Sequence, residues 1–366
     1  PPATPGGQTG RFRVAEHPLQ PFSERYFTGP PDGALFTFSE ADARAAASRP
    51  NPAVPPVSPA PLPLAGPEWR VLTPGQLVDF FHNPARFLLV NRLQVRFERA
   101  EAEPSGEEPC ALDGLAEYAL KAELLPGPAP GGDPGPVYAR LRAAGALPPG
   151  AAGRVAFDGL WRSVTVVRER VMAEQGDAAP QTVAVDLALP GPGGPLTIRG
   201  AVSGVYGHTL VRFRPGKIRA RDLLAVWLQH LLVTAGGADG TVRSVFIGED
   251  GKTAAFGPVQ DAGGVLAALL GVFWDGLHGF VPFAPKASHA FAAELQKSGD
   301  PGRAFQKARE AWEQSFGTSP ERDDFCLRMA LERLGVFAGD ADGHPGFEHL
   351  ARAVFEPLLR AQEGEP

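Results

Sequence analysis

The hydrophobic period of this chain switches from helical to strand-like near its middle and back again, and that switch limits the folds open to it. "QTVAVDLAL" (181–189) alternates apolar and polar residues as a half-buried strand does. "PGPGGP" then turns the chain, and "LTIRGAVSGVYG" (196–207) and "TLVRFRP" (209–215) resume the alternation across a tight reversal at Gly207-His208. The flanks are helical. "GRVAFDGLWRSVTVVRERVMAEQ" precedes the strands, and a run from about Ile218 to Val233 follows them, before a last strand, "TVRSVFIG" (241–248). The order helix, three strands, helix, strand predicts an α/β core.

More helices surround that core. In "TPGQLVDFF", Thr73 is placed to cap a helix and Pro74 to open it, with Leu77, Phe80 and Phe81 on one apolar face. Asn83-Pro84 breaks this helix and starts "ARFLLVNRL", followed by the strand-like "QVRFE". "ALDGLAEYALKAELL" is amphipathic, and the chain after about residue 261 reads helical through "FEHLARAVFEPLLRA". There Phe273, Trp274, Phe280 and Phe283 suit a contact surface and a plain core equally. Eight prolines between Pro50 and Pro67 predict an extended segment. The expected organisation is therefore 1–40 as the tail of something upstream, 41–68 as a Pro-rich linker, and 69–366 as the globular domain.

The 366 residues, 43% hydrophobic and 21% charged, fit a soluble globular protein. Two cysteines, Cys110 and Cys326, give neither a disulfide framework nor a CxxC metal site, which favours a reducing, cytoplasmic setting. No apolar run approaches the roughly 20 residues needed to span a bilayer, so no membrane role is expected. The start "PPATPGGQTGRF" lacks an initiator Met and a signal-peptide core, and reads as a piece of a longer protein. A net charge of −6 argues against a histone-like coat but leaves room for a local nucleic-acid contact.

Such a contact is suggested by "VRFRPGKIRAR" (211–221), where Arg212, Arg214, Lys217, Arg219 and Arg221 gather with no acid among them. The run suits a grip on phosphate, an edge strand with outward arginines, or what remains of an active site. Other motifs carry less. "GEDGKT" (248–253) has Phe246 where a phosphate-binding loop needs its first glycine, and Asp250-Gly251 between two strands predicts a hairpin. The eight histidines are scattered, and His344 and His349 have no accompanying cysteine or carboxylate pair. Ser203 lacks the glycines of a nucleophile elbow, since Ala201 and Val205 stand there.

The element order resembles the core of the PD-(D/E)xK nucleases. In the subgroup attached to recombination helicases, the second strand carries G-x-I-D-R-I and the third V-D-Y-K. Two carboxylates hold Mg²⁺, the metal activates water, and the lysine positions the nucleophile. The resemblance places Ser203 where the first Asp would fall, Arg212 at the second acid and Arg214 at the lysine. A hydroxyl replaces a carboxylate poorly and a guanidinium repels a divalent cation, so the site is expected to be degenerate, with no catalytic residue and no metal. Asp158 or Glu169 would stand at the helical acid position, but one acid cannot rebuild the centre.

Several stretches in order resemble the C-terminal region of the RecC family, the gamma subunits of the RecBCD helicase–nuclease (exodeoxyribonuclease V). They are "HPLQPFSERYF" (17–27), "LVDFFHNPARFLLVNRLQV" (77–95), "EEPCALDGLAEYAL" (107–120), "RAAGALPPGAAG" (142–153) and "VDLALPGPGGPLTIRGAVSGV" (185–205). "LLAVWLQHLL" (223–232) and "FEPLL" (355–359) extend the match. Cys110 departs from the aromatic expected before "ALDGL", and the Pro-rich linker is longer than usual. The resemblance implies a domain without catalysis, working inside an enzyme complex for double-strand-break repair and recombination. It further implies RecB and RecD as partners, double- and single-stranded DNA as ligand, duplex splitting and RecD docking as tasks, and no cofactor in this chain. Residues 1–40 would then be the tail of a helicase-like domain. Arg212, Arg214, Lys217, Arg219 and Arg221 become DNA-contact candidates. An active Mg²⁺-dependent nuclease with differently aligned acids, and a scaffold without DNA contact, are the alternatives.

Overall fold

The computed structural model describes residues 16–27, 35–47, 62–97, 111–126, 132–237, 242–314, 319–340 and 345–363. The chain forms two units, 1–60 and 61–366. In the first, His17 Nδ1 meets the Tyr26 hydroxyl at 3.1 Å beside a short turn, Glu24–Tyr26. Helix α1 (Glu40–Ala47) follows, with the Ser39 hydroxyl accepting from the Asp42 amide at 3.2 Å. The segment 41–68 named as a linker thus includes most of α1 at its start. Its residues 48–61 lie outside the described residues.

The second unit opens with the short strand β1 (Val71–Leu72) and α2 (Pro74–His82). Thr73 caps α2 as expected: its hydroxyl accepts from the Gln76 amide, and the Gln76 side chain accepts from the Thr73 amide at 2.8 Å. Asn83 caps α3 (Pro84–Phe87), which loosens into a π-turn over Leu88–Arg92. Gln94 then adopts a left-handed conformation at φ 56°, and residues 94–97 join no ladder. The strand expected at "QVRFE" is therefore absent over 94–97. Alternation alone makes no strand without a partner edge, and the wide turn directs this segment away from the sheet.

Helices α4 (Gly114–Leu124), α5 (Gly135–Ala143) and α6 (Gly150–Gln175) lead to the strands. These are β2 (Pro180–Leu189), β3 (Leu196–Tyr206) and β4 (Thr209–Phe213). Helix α7 (Ala220–Gly236) carries the chain to β5 (Arg243–Ile247), and a turn over Glu249–Gly251 to β6 (Thr253–Phe256). That turn is the hairpin expected at Asp250-Gly251, with Gly251 at φ 69° and β5 and β6 antiparallel. In the mixed six-stranded sheet, β2 pairs antiparallel along all of β3. The opposite edge of β3 holds β1 in parallel at residues 197–198 and β4 in antiparallel at 205–206. Strand β4 then runs parallel to β5, as a helical crossover between them requires. The fold is α/β.

Both faces of the sheet are covered at β4 to β6, whereas β2 and β3 leave one face exposed at Ala184, Asp186, Arg199, Ala201 and Ser203. Along β4, Leu210 packs into a core with α2 and α7, whereas Val211 packs into a second core with α4 and α6. Helices α8 (Ala262–Gly276), α9 (Pro285–Ser298), α10 (Pro301–Glu313), α11 (Phe325–Leu334) and α12 (Phe347–Ala361) complete the unit. Helix α8 packs into the first core, and α9 to α12 build the third core with α3. Phe273, Trp274 and Phe283 are buried and Phe280 is half-buried, so these aromatics are core. Phe80 meets Phe81, Phe87 and Phe273 edge-on, with centroids 5.0–5.7 Å apart. A Cβ on Gly276 would lie 2.3 Å from the Phe80 ring. Gly276→Ala is therefore expected to destabilise by about 1–3 kcal/mol, although alanine is the better helix former. The shift of the urea unfolding midpoint measures this.

Between α7 and β5, His230 Nδ1 shares a hydrogen bond with Ser244 Oγ at 2.8 Å, both residues fully buried. Trp227 and Phe256 flank the ring. Burial pulls the imidazole down to about 4, and burial does the same to His289 against Phe355. Because these values lie below the unfolded one, the unfolded chain takes up the protons first. Stability is therefore expected to be full above about pH 6.5 and to fall as pH drops toward about 4. His230→Gln makes that fall shallower in denaturant titrations at stepped pH.

Candidate functional site

The basic run spans the end of β4, a six-residue loop and the start of α7. Its first two arginines lie two residues apart, and the alternation of a strand sends both toward α7. Arg212 crosses to the neighbouring strand: Nη2 donates to the Ser203 carbonyl at 2.7 Å, Nη1 to the Val211 carbonyl at 3.0 Å, and Nε to Gln229 Oε1 at 2.7 Å. It reaches Ser203 and Gly204, at one end of the stretch of β3, residues 199–204, that has no strand partner on that edge. Gly204 makes the room. It sits at φ 74°, and a Cβ there would lie 2.5 Å from Arg212 Nη1. Burial lowers the pKa of Arg212.

Arg214 is committed to α7. Its Nη1 donates to both carboxylate oxygens of Asp222 at 2.9 and 3.0 Å, with both side chains largely buried. Its guanidinium lies 5.6 Å from the Tyr118 ring centroid. Asp222 also accepts from the Arg219 amide at 2.9 Å and so closes the first turn of α7. Breaking a buried pair leaves an uncompensated charge, so Asp222→Ala is expected to cost about 3–5 kcal/mol. Lys217→Ala is expected to stay within about 0.5 kcal/mol, because Lys217 is exposed. Chemical denaturation of the two variants checks the contrast.

Lys217, Arg219 and Arg221 remain exposed. Arg219 has its pKa lowered, first by burial and then by the neighbouring Arg214 and Arg221. His82, at the end of α2, meets the Arg221 carbonyl through Nε2 at 3.0 Å, and burial lowers its pKa. The loop lies at the carboxyl ends of the parallel strands β4 and β5, where the Glu249 amide donates to the Gly216 carbonyl at 3.0 Å.

Arg212 reaches the backbone carbonyl of Ser203, whose side chain lies with those of Arg199 and Ala201 on the exposed face of β3. Asp158 pairs with Arg154 one turn away on α6 at 3.1 Å, and Glu169 is exposed on the same helix. Among the described residues, no group of three His, Cys, Asp or Glu side chains is placed to hold a metal ion. His349 lies 3.9 Å from the Asp340 carboxylate. His344 and Cys110 fall outside the described residues, and Cys326 is a buried free thiol. No helix among the described residues is long and apolar enough to cross a membrane. Sequence reasoning missed Asp222, Gln229 and Tyr118. An acid three residues after Arg219 was a legible capping signal, whereas the other two reach the site only through tertiary packing.

Comparison with known proteins places this arrangement in context. A family model described as the RecC C-terminal domain matches residues 69–296. A RecBCD enzyme subunit RecC of Escherichia coli is 29% identical over 285 residues, covering 75% of this chain and 24% of that protein. One of Mycobacterium tuberculosis is 27% identical over 375 aligned positions, covering 95% of this chain and 33% of that protein. The chain thus spans about a quarter to a third of the length of the curated relatives it matches.

Proposed function

The chain belongs to the RecC family, carrying its C-terminal domain over residues 69–296, and on that premise we propose that it is a non-catalytic DNA-handling and subunit-docking part of a RecBCD-type enzyme of DNA repair. The observation that carries this reading is the guanidinium of Arg212 on the Ser203 carbonyl. In a PD-(D/E)xK core, carboxylates would converge at that edge to hold Mg²⁺. Here a fixed positive charge fills the space and satisfies the strand, which opposes a divalent cation at the same place. The element order α6, β2–β4, α7, β5 supports the nuclease-like ancestry of the core.

The DNA contact would come from Lys217, Arg219 and Arg221. Arg212 and Arg214 hold the loop, and the other three project from it into solvent, where mutual repulsion is relieved by a phosphate. Such a contact reads charge and backbone geometry and supports the handling or splitting of a duplex without sequence preference. RecB and RecD are the partners in this reading. Exposed Phe325 and Leu334 on α11, with the Phe97 ring 6.1 Å from Phe325, offer the docking of RecD a more suitable surface than the buried aromatics of α8.

Two measurements test this. The full chain is expected to show no EDTA-sensitive cutting of single- or double-stranded DNA in Mg²⁺, and robust cutting that EDTA abolishes would favour an active nuclease. The combined variant Lys217→Ala, Arg219→Ala and Arg221→Ala is expected to weaken DNA binding in fluorescence anisotropy. The slope of log affinity against log salt is expected to fall by about 2–3. An unchanged slope would remove the loop as a phosphate contact.

A further inference from the structure

Tyr118 brings an aromatic ring into the middle of the basic loop from a helix distant in sequence. It is 38% exposed on α4, and its Cε2 lies 3.3 Å from where a Gly216 side chain would begin. A side chain at Gly216 would also press on Arg214, whose Nη2 lies 2.9 Å from the same point. The guanidinium of Arg214 lies over the ring and is itself anchored by Asp222. Lys217 and Arg219, both exposed, follow Gly216 in the loop. Of the acids near the ring, Asp222 holds Arg214 and Glu117 pairs with Lys121 at 2.6 Å.

From this arrangement we infer that Tyr118 is a base-stacking platform, and that the basic loop takes a single strand with at least one unpaired base laid on the ring. A ring held from one side by a cation and a glycine is pre-positioned, so stacking on it costs little ordering. Cationic side chains around such a ring track the backbone while the base covers the ring, the arrangement that favours single strands without sequence readout. A duplex has its bases already stacked and offers the ring nothing beyond phosphate. The inference rests on the phosphate-contact reading of Lys217, Arg219 and Arg221 and adds a ligand class to it.

The test compares the full chain bound to an oligothymidylate and to an abasic backbone of the same length, about 20 units each, by fluorescence anisotropy. The unaltered chain is expected to prefer the thymidylate by at least about tenfold. Tyr118→Ala and the bulkier Tyr118→Leu remove that preference and leave abasic binding unchanged, while Tyr118→Phe keeps it. Circular dichroism and unfolding midpoints show that each variant is folded. Equal binding of the two ligands by the unaltered chain, or a preference that survives both Tyr118→Ala and Tyr118→Leu, overturns the stacking role. If the triple loop variant still loses affinity in that case, the phosphate contact stands without it. If the triple variant loses nothing, the phosphate contact itself fails.

Discussion

Strand β3 carries a gap in its ladder over residues 199–204, where the backbone groups on one edge depend on side chains and solvent for their partners. Strand β1 supports only the beginning of that edge and β4 only its end. Arg212 bridges the space between them with donors on Ser203, Val211 and Gln229, tying β3, β4 and α7 into one polar joint. The geometry of the basic loop follows from this joint. Because Arg212 fixes the end of β4 against α7, Arg214 arrives opposite Asp222, and the remaining cations leave the sheet facing outward.

Charge in this region is layered by depth. The inner arginines are paired or hydrogen-bonded, and their stabilising role depends on being held in place. The outer cations carry no such constraint, and their interactions weaken with salt. An acidic chain of net charge −6 can therefore keep a positive patch without compromising its solubility or its fold. The patch also sits at the carboxyl ends of two parallel strands, a position where α/β sheets commonly leave a crevice.

Much of the fold was legible because local signals agreed with one another. The two-residue period of 181–215, the glycine-rich turn after Leu189, the cap at Thr73 and the break at Asn83-Pro84 all specify elements from short-range chemistry, and each formed as read. Where tertiary context decides, the sequence was silent or misleading. "QVRFE" alternates like a strand, but a π-turn and a left-handed Gln94 take residues 94–97 away from any partner edge. Phe273 and Phe283 read equally well as surface or core, and only the packing of α2 and α12 around them decides for core. At the site, spacing put Arg212 and Arg214 on one side of a strand. It could not say that α7 covers that side with Gln229 and Asp222, so five candidate contacts divided into two structural arginines and three exposed cations.

The joint at Arg212 also bears on how freely this edge can be re-engineered. A carboxylate introduced at position 212 would delete the donor that Ser203 and Gln229 rely on, and it would leave empty the space that Gly204 keeps clear. An acid at position 203 would meet the field of the Arg212 guanidinium, which donates to the carbonyl of that same residue. Each intermediate on the way to a metal site is therefore worse than the sequence it replaces, or keeps the cation that opposes a metal. Installing cation chemistry here requires coordinated changes at positions 203, 204, 212 and 229, which makes the edge a one-way feature on the scale of single substitutions.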